Sequence, residues 1–307
     1  MAMDSRDDSA VRIALPPDFD FDWVLGFLAA RTVASLETVR ERAYHRSVRL
    51  NGKPVTLVLT EVVHGASVAG GRAQRALVAT SRPRLPADAL EAAVRRMLDL
   101  DVDLGHFHRL ARRDPILAPM VRRRSGIRLP QLLDPFEGLT RAILGQQVSV
   151  AGASTITDRL VRLVSRPVPG AKRSGFLAFP TPADVTEAGA GRLREIGLTR
   201  VRAATLHGAA QRIADGALDL ERLRSLPADE AQAALEQLPG IGPWTASYVR
   251  MRALGDRDAF PSADLGVIKR MQAAGVARQS ILEVAERWRP WRGYVTLHLW
   301  ASAADGG

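Results

Sequence analysis

Residues 228–254, ADEAQAALEQLPGIGPWTASYVRMRAL, contain the pattern that decides the fold. One apolar helical repeat ends at the turn LPGIG, and a second begins at about Pro243. Gly240 and Gly242 let the backbone approach a phosphate, and free amides in the next helical turn, including that of Thr245, can bind it. The pattern predicts a helix-hairpin-helix that holds a nucleic-acid backbone without recognising its bases. A glycine turn that only joins two helices is the alternative.

An acidic side chain follows this hairpin in the segment DAFPSADLGVIKR, residues 258–270. Asp264 lies 22 residues beyond Gly242, after a Phe-Pro pair that interrupts the preceding helix. Two interpretations are open for this residue taken alone. It is either a carboxylate delivered to a site beside the hairpin or the N-cap of the next helix, and one residue can fill both roles.

Strand patterns are concentrated in the first third of the chain. The run SVRLNGKPVTLVLTEVV, residues 47–63, places Asn51-Gly52 between two β-rich segments and therefore predicts a β-hairpin. Residues 11–15 alternate in polarity, and a further strand is expected at 76–80. Residues 23–30 and the apolar repeat after Pro86 favour helices.

Beyond residue 104 the strand patterns nearly vanish, and helical segments alternate with short turns that contain proline or glycine. The chain is therefore expected to have an α+β fold, with a sheet-containing part followed by an all-helical part. The expected divisions are a disordered tail at 1–10, an N-terminal α+β domain at 11–119 and a helical domain at 120–307 with its hairpin at 228–254.

The composition favours a polyanionic partner and excludes several kinds of chemistry. The chain has 43 basic and 33 acidic side chains, a net charge of +10, and only three lysines, so nearly all of its cations are arginines. With no cysteine it can form neither disulfides nor thiolate metal sites, which suits a reducing cytoplasm. Neither an export signal nor an apolar stretch of membrane-spanning length is evident.

Several separated segments, in the same order, resemble one family. They are FDWVLGFLAARTVASLETV at 21–39, RAILGQQVSVAGA at 141–153, the hairpin, the segment around Asp264, and ERWRPWRGYVTLHLW at 286–300. Together they resemble the helix-hairpin-helix (HhH-GPD) DNA glycosylase superfamily and, within it, the 3-methyladenine DNA glycosylase II (AlkA) family. The resemblance implies a small N-terminal domain like half a TATA-binding protein, then two helical subdomains with the active-site cleft between them.

The resemblance also implies roles for individual residues. Asp264 matches the family's catalytic aspartate, and Trp244 occupies the position at which lyase members of the superfamily carry a Schiff-base lysine. The aromatic base pocket maps to Trp244, Tyr248, Trp300 and Phe27. Without the resemblance, aromatic side chains at helical spacing are more often simply part of the core.

Two positions depart from the family. Gln147 occupies the wedge position, where the best-known relatives have leucine; a wedge fills the gap left by a base that has rotated out of the duplex. Leu265 follows the catalytic aspartate, where the family has tyrosine. The family also implies a monovalent cation, sodium or potassium, on the carbonyl groups of Glu236, Leu238 and Ile241, with no other cofactor and no catalytic metal.

Taken together, these features predict a monofunctional DNA glycosylase that hydrolyses the N-glycosidic bond of alkylated purines in double-stranded DNA. We expect a monomer that needs no membrane and no obligate protein partner. Two alternatives share the fold. A glycosylase/lyase acting on oxidised bases needs an amine where Trp244 stands, and a catalytically silent module that binds bent or damaged DNA gives no reason for Asp264.

Overall fold

The computed structural model describes residues 10–64, 74–168 and 175–304 of the chain. The expected disordered tail at 1–10 therefore lies almost wholly outside the described residues. None of the helices within the three described ranges combines the length and the apolar character that a membrane span requires.

A five-stranded antiparallel sheet forms the first part of the chain, with the strand order β1-β5-β4-β3-β2. The predicted hairpin is confirmed: Leu50 pairs with Lys53, and both residues of the turn, Asn51 and Gly52, have positive φ. The edge strand β2 was not predicted, because its sequence ETVR lacks an apolar alternation. The strands are β1 (Val11–Ala14), β2 (Glu37–Arg40), β3 (Ala43–Leu50), β4 (Lys53–His64) and β5 (Gln74–Arg82).

Two helices cover the sheet and share its core. Helix α1 (Phe21–Ala29) contributes Val24 and Leu25, and α2 (Ala87–Leu98) contributes Leu90 and Val94 to a cluster with the inward-facing side chains of the sheet. All four are buried. The predicted α+β composition of this part is confirmed.

The rest of the described chain is helical, apart from one isolated bridge between Pro167 and Leu177. The helices that follow α2 are α3 (Gly105–Arg113), α4 (Leu117–Arg123), α5 (Pro135–Leu144), α6 (Val150–Val164), α7 (Pro182–Leu193), α8 (Arg200–Ala214), α9 (Leu220–Leu223), α10 (Ala228–Glu236), α11 (Pro243–Val249), α12 (Leu265–Ala273), α13 (Ile281–Glu286) and α14 (Arg292–Ala304). The predicted helical hairpin is formed by α10 and α11, and α11 continues as a π-helical segment to Leu254.

These helices build two hydrophobic cores, one on each side of a deep cleft. The first core contains side chains from each helix between α5 and α11. The second contains side chains from α3, α4, α12, α13 and α14. The cleft has a volume of about 1170 Å³ and is lined by residues of both helical groups and of the sheet. It exceeds the size of most small-molecule sites.

A buried charged cluster joins the sheet to α5 at the inner end of this cleft. Arg46 donates two hydrogen bonds to the Glu137 carboxylate, at 2.8 and 2.7 Å, and Arg141 donates to Glu37 at 2.6 Å. Although burial alone would raise it, Arg141, Arg46 and the Tyr44 hydroxyl hold the pKa of Glu37 below its ordinary value. Each carboxylate of the cluster is therefore paired with arginine, and the cluster links β2 and β3 to α5.

Candidate active site and DNA-binding surface

Asp264 lies at the mouth of the cleft as the N-cap of α12. Its Oδ1 atom accepts hydrogen bonds from the backbone amides of Gly266 at 2.9 Å and Val267 at 3.1 Å. Asp264 thus fits both interpretations left open by the sequence, because it caps a helix and also faces a cavity. The capping bonds fix the direction in which the carboxylate points.

Two tryptophans from distant parts of the chain also donate to this carboxylate. The indole nitrogen of Trp300 lies 2.9 Å from Oδ1, and that of Trp244 lies 3.3 Å from Oδ2. All of these donors are neutral, and within the described ranges no arginine, lysine or histidine forms an ion pair with Asp264. Its negative charge is therefore oriented and hydrogen-bonded without a direct ion pair in the described ranges.

Three of the four predicted pocket aromatics form one wall of the cleft. Trp244 stacks against Tyr248 with 5.6 Å between ring centroids, and Tyr248 lies 6.3 Å from Trp300. Phe27 is placed differently from the expectation. It is only 7% exposed and does not line the cleft. It packs behind Trp300, with 6.4 Å between the two ring centroids.

Two arginines that the sequence analysis did not identify lie beside this wall. The guanidinium carbon of Arg31 lies 3.7 Å from the Phe27 ring centroid and 5.7 Å from that of Trp300. The guanidinium carbon of Arg252 lies 4.8 Å from the Phe27 ring centroid, and its Nε donates to the carbonyl of Pro130 at 2.7 Å. Both line the cleft, and the charge of the pocket depends on them. No pattern in an arginine-rich chain distinguishes these two from the others.

The hairpin turn depends on a glycine in the left-handed backbone region. Gly240 has φ +84°, and a Cβ there would lie 2.1 Å from the Thr205 hydroxyl oxygen, so this position needs glycine. Gly242 is exposed and has open space where a Cβ would stand. Thr245 is only 3% exposed, and its backbone amide belongs to the first turn of α11, where amides have no partner within the helix.

The loop between α5 and α6 lies against the hairpin. Gln147, the predicted wedge, is exposed in a left-handed conformation with φ 57° and lines the cleft. The preceding residue, Gln146, donates at 3.0 Å to both the Gly240 carbonyl and the Thr245 hydroxyl. Gln146 therefore ties the loop that carries Gln147 to the hairpin turn, a role that only the three-dimensional contact reveals.

The remaining predicted positions also lie around the cleft and the hairpin. Leu265 is 71% exposed on the cleft rim, so an apolar side chain stands next to the carboxylate. The proposed cation ligands Glu236, Leu238 and Ile241 lie at the end of α10 and in the turn, where the Leu238 carbonyl accepts a hydrogen bond from the Ile241 amide at 3.0 Å.

Comparisons with known proteins agree with this architecture. The profile of the AlkA N-terminal domain matches residues 10–134, and that of the HhH-GPD superfamily of base excision DNA repair proteins matches residues 140–292. The chain is 34% identical to DNA-3-methyladenine glycosylase 2 of Escherichia coli over 290 residues, which cover 92% of this chain and 94% of that protein.

A longer relative and a solved structure extend the comparison. The chain is 35% identical to a probable bifunctional transcriptional activator/DNA repair enzyme AlkA of Mycobacterium tuberculosis, covering 95% of this chain but only 57% of the length of that relative. The solved 3-methyladenine DNA-glycosylase of Archaeoglobus fulgidus superimposes with a TM-score of 0.79 at 24% identity, covering 96% of this chain and 99% of that one. At this identity the superposition establishes the shared fold.

Proposed function

The chain belongs to the AlkA-type family of DNA-3-methyladenine glycosylases within the HhH-GPD superfamily, and from that premise we propose that it hydrolyses the N-glycosidic bond of alkylated purines in DNA. The substrates are bases of the 3-methyladenine and 7-methylguanine type, and the reaction begins base excision repair.

The placement of Asp264 is the observation that carries this proposal. When the glycosidic bond breaks, its electron pair goes to the base and positive charge develops on the deoxyribose. A carboxylate held by indole and backbone N–H groups at the rim of the cleft stabilises that charge. It can also orient the attacking water. An alkylated purine already carries positive charge, leaves as a neutral base, and needs little protonation by the enzyme.

The aromatic wall supports the same substrate class. Trp244, Tyr248 and Trp300 present electron-rich rings to the cleft that contains Asp264. A cationic base against such a ring gains roughly 0.5–2 kcal/mol of cation–π stabilisation. The wall thereby favours an alkylated base over its unmodified counterpart.

Double-stranded DNA is the proposed partner, and the protein acts on it as a monomer. The exposed hairpin turn and the amide of Thr245 bind a backbone phosphate. Gln147 enters the duplex where the damaged base has rotated out, and its amide can hydrogen-bond the base left without a partner. Such an interaction requires neither a second copy of the chain nor another protein.

A monovalent cation, sodium or potassium, is proposed on the carbonyl oxygens of Glu236, Leu238 and Ile241. The Leu238 carbonyl uses one lone pair for the turn, which leaves another for an ion. Such an ion would support DNA binding at the hairpin and take no part in the chemistry.

We propose hydrolysis without strand cleavage. A lyase requires an amine nucleophile at the sugar, and Trp244 stands where that amine would be. Within the described part of the chain, no lysine lines the cleft. Attack by water is then the route that remains for the proposed site.

The test is release of free bases from a methylated DNA duplex, measured by chromatography, with strand scission and borohydride trapping followed in parallel. The expected result is release of 3-methyladenine and 7-methylguanine by the wild-type protein, with neither nicking nor a trapped adduct. Release of neither base by a protein that still binds the duplex would favour the silent DNA-binding module. A borohydride-trapped adduct would favour the lyase.

A further inference from the structure

A second, smaller pocket lies outside the cleft, where α4, α12 and α14 meet. It has a volume of about 320 Å³, and none of its lining residues lines the cleft. The polar part of its wall consists of Arg123, Arg124, Arg270, His298 and Ser302. The base-excision chemistry proposed above uses none of these five residues.

The wall of this pocket carries positive charge. Three of its residues are arginines, and within the described ranges no aspartate or glutamate lines it. Arg124 forms an ion pair with Asp20, with 3.2 Å between Nη1 and Oδ2. Arg270 instead donates to the carbonyl of Ser302, which is neutral, and no ion pair of Arg270 is found among the described residues. The pocket therefore keeps a positive charge that attracts anions.

His298 adds a buried polar group to the same wall. It is only 1% exposed, and its Nε2 atom has no hydrogen-bond partner within the described residues. Burial is the main cause that lowers the pKa of His298 to about 3, and the charge of His108 acts in the same direction, so the ring is neutral at pH 7. A neutral imidazole can carry its proton on Nε2 and donate it. An oxyanion that enters the pocket would supply the missing acceptor.

The pocket and the cleft lie on the same pair of helices. Helix α12 begins beside Asp264, and Arg270 follows six residues later, about 9 Å along the helix axis. Helix α14 contributes Trp300 to the cleft and Ser302 to the pocket. Double-stranded DNA carries one negative charge per about 1.7 Å of its axis. A duplex with one base at the cleft therefore has several phosphates at distances comparable to that of the pocket.

We propose that this pocket binds a backbone phosphate of the DNA whose damaged base occupies the cleft, as a second phosphate site separate from the hairpin turn. For the source of the phosphate this inference rests on the proposed function. Arg123 and Arg270 supply positive charge, and His298 supplies a hydrogen-bond donor. A free phosphate ion has the same chemistry and is the other possible source.

The first experiment asks whether the pocket binds phosphate at all. Inorganic phosphate is titrated at constant ionic strength, with chloride as the balancing anion, while the histidine rings are followed by NMR. The His298 signals should shift and saturate, whereas those of His45 in β3 and His207 in α8, which lie outside the pocket lining, should not. Arg270→Gln should weaken this shift.

The second experiment asks whether DNA supplies the phosphate. Binding of a duplex with a tetrahydrofuran abasic site is measured at several salt concentrations, with the active fraction determined by stoichiometric titration. In Arg270→Gln the slope of log Kd against log salt should decrease by about one, the value for one lost phosphate contact. Arg123→Gln, which changes an exposed side chain, should act in the same direction and guards against a folding defect in Arg270→Gln. Arg84→Gln is the matched control, because Arg84 is exposed and lies outside both linings.

The outcomes separate this inference from the proposed function. A His298 signal that does not respond to phosphate, together with unchanged salt slopes in Arg270→Gln and Arg123→Gln, would overturn the site. A response to phosphate with unchanged slopes would overturn the DNA contact and assign the pocket to a free phosphate ion. A wild type that shows the predicted slopes but releases no alkylated base would overturn the proposed function and leave the phosphate site standing.

Discussion

Two aspartates cap helices in the same way, and only one of them faces the cleft. Asp134 begins α5, and its Oδ1 atom accepts from the backbone amides two and three residues ahead at 2.9 and 3.4 Å. Asp264 begins α12 and accepts from the corresponding amides at 2.9 and 3.1 Å. Judged by local hydrogen bonding, the two helix starts are equivalent.

Their surroundings make them different. Asp134 lies against the buried Glu137, and burial together with this neighbouring charge raises the pKa of Asp134 to about 6. Asp264 instead receives the indole N–H groups of Trp244 and Trp300 at the rim of the cleft. A capping aspartate therefore becomes a candidate catalytic group when tertiary contacts supply neutral donors beside a cleft, and capping alone does not identify it.

The largest difference is expected when both aspartates are changed to asparagine. Asparagine caps helices as well as aspartate does, so both variants should fold. Asp264→Asn should lose about 100-fold or more in single-turnover release of 7-methylguanine, because the charge opposite the sugar is removed. Asp134→Asn should stay within about threefold of wild type. Equal losses in the two variants would mean that Asp264 acts only as a cap.

A pH dependence should follow from Asp134. Its pKa is about 6 in the folded protein against an ordinary 3.8, so the protonated form is favoured by folding. The stability that it contributes is fully present below about pH 4 and is lost as the pH rises through about 6. When the pH is raised from 4 to 8, the free energy of unfolding of Asp134→Asn should rise relative to that of wild type by about 2 kcal/mol. Urea denaturation at the two pH values measures this change. A stability difference that does not change with pH would contradict this assignment.

A smaller effect should separate the two indole donors. Trp300→Phe keeps an aromatic ring but removes the 2.9 Å hydrogen bond to Asp264, and excision of 7-methylguanine should fall about tenfold. Trp244→Phe removes the longer 3.3 Å bond and should cost less, about threefold. Trp291→Phe is the matched control, because its indole donates to His106 and lies outside the cleft lining. Equal rates in all three variants would contradict a role for the indole N–H groups.

The fold could be predicted largely from local patterns. The glycine turn, the Asn51-Gly52 hairpin and the helical repeats depend on residues close together in sequence, and the structure confirms them. The edge strand β2 escaped prediction because its position depends on pairing with β3 and not on an apolar pattern of its own.

The site could be predicted only in part. The sequence led to Asp264 and to the three aromatic side chains of the cleft wall through the resemblance to a family. It did not predict that Phe27 lies behind Trp300, that Arg31 lies beside the same ring, or that Gln146 is hydrogen-bonded to the hairpin. Each of these depends on a distance between segments far apart in the chain, which no local pattern encodes.

The most direct test of the charge on Asp264 is the binding of a duplex whose abasic site carries a protonated pyrrolidine ring, which mimics the cationic sugar. The neutral tetrahydrofuran site serves as the reference. Wild type and Asp134→Asn should both bind the cationic ring at least about tenfold more tightly than the neutral one, and this preference should disappear in Asp264→Asn. The same preference in Asp264→Asn as in wild type would contradict the account.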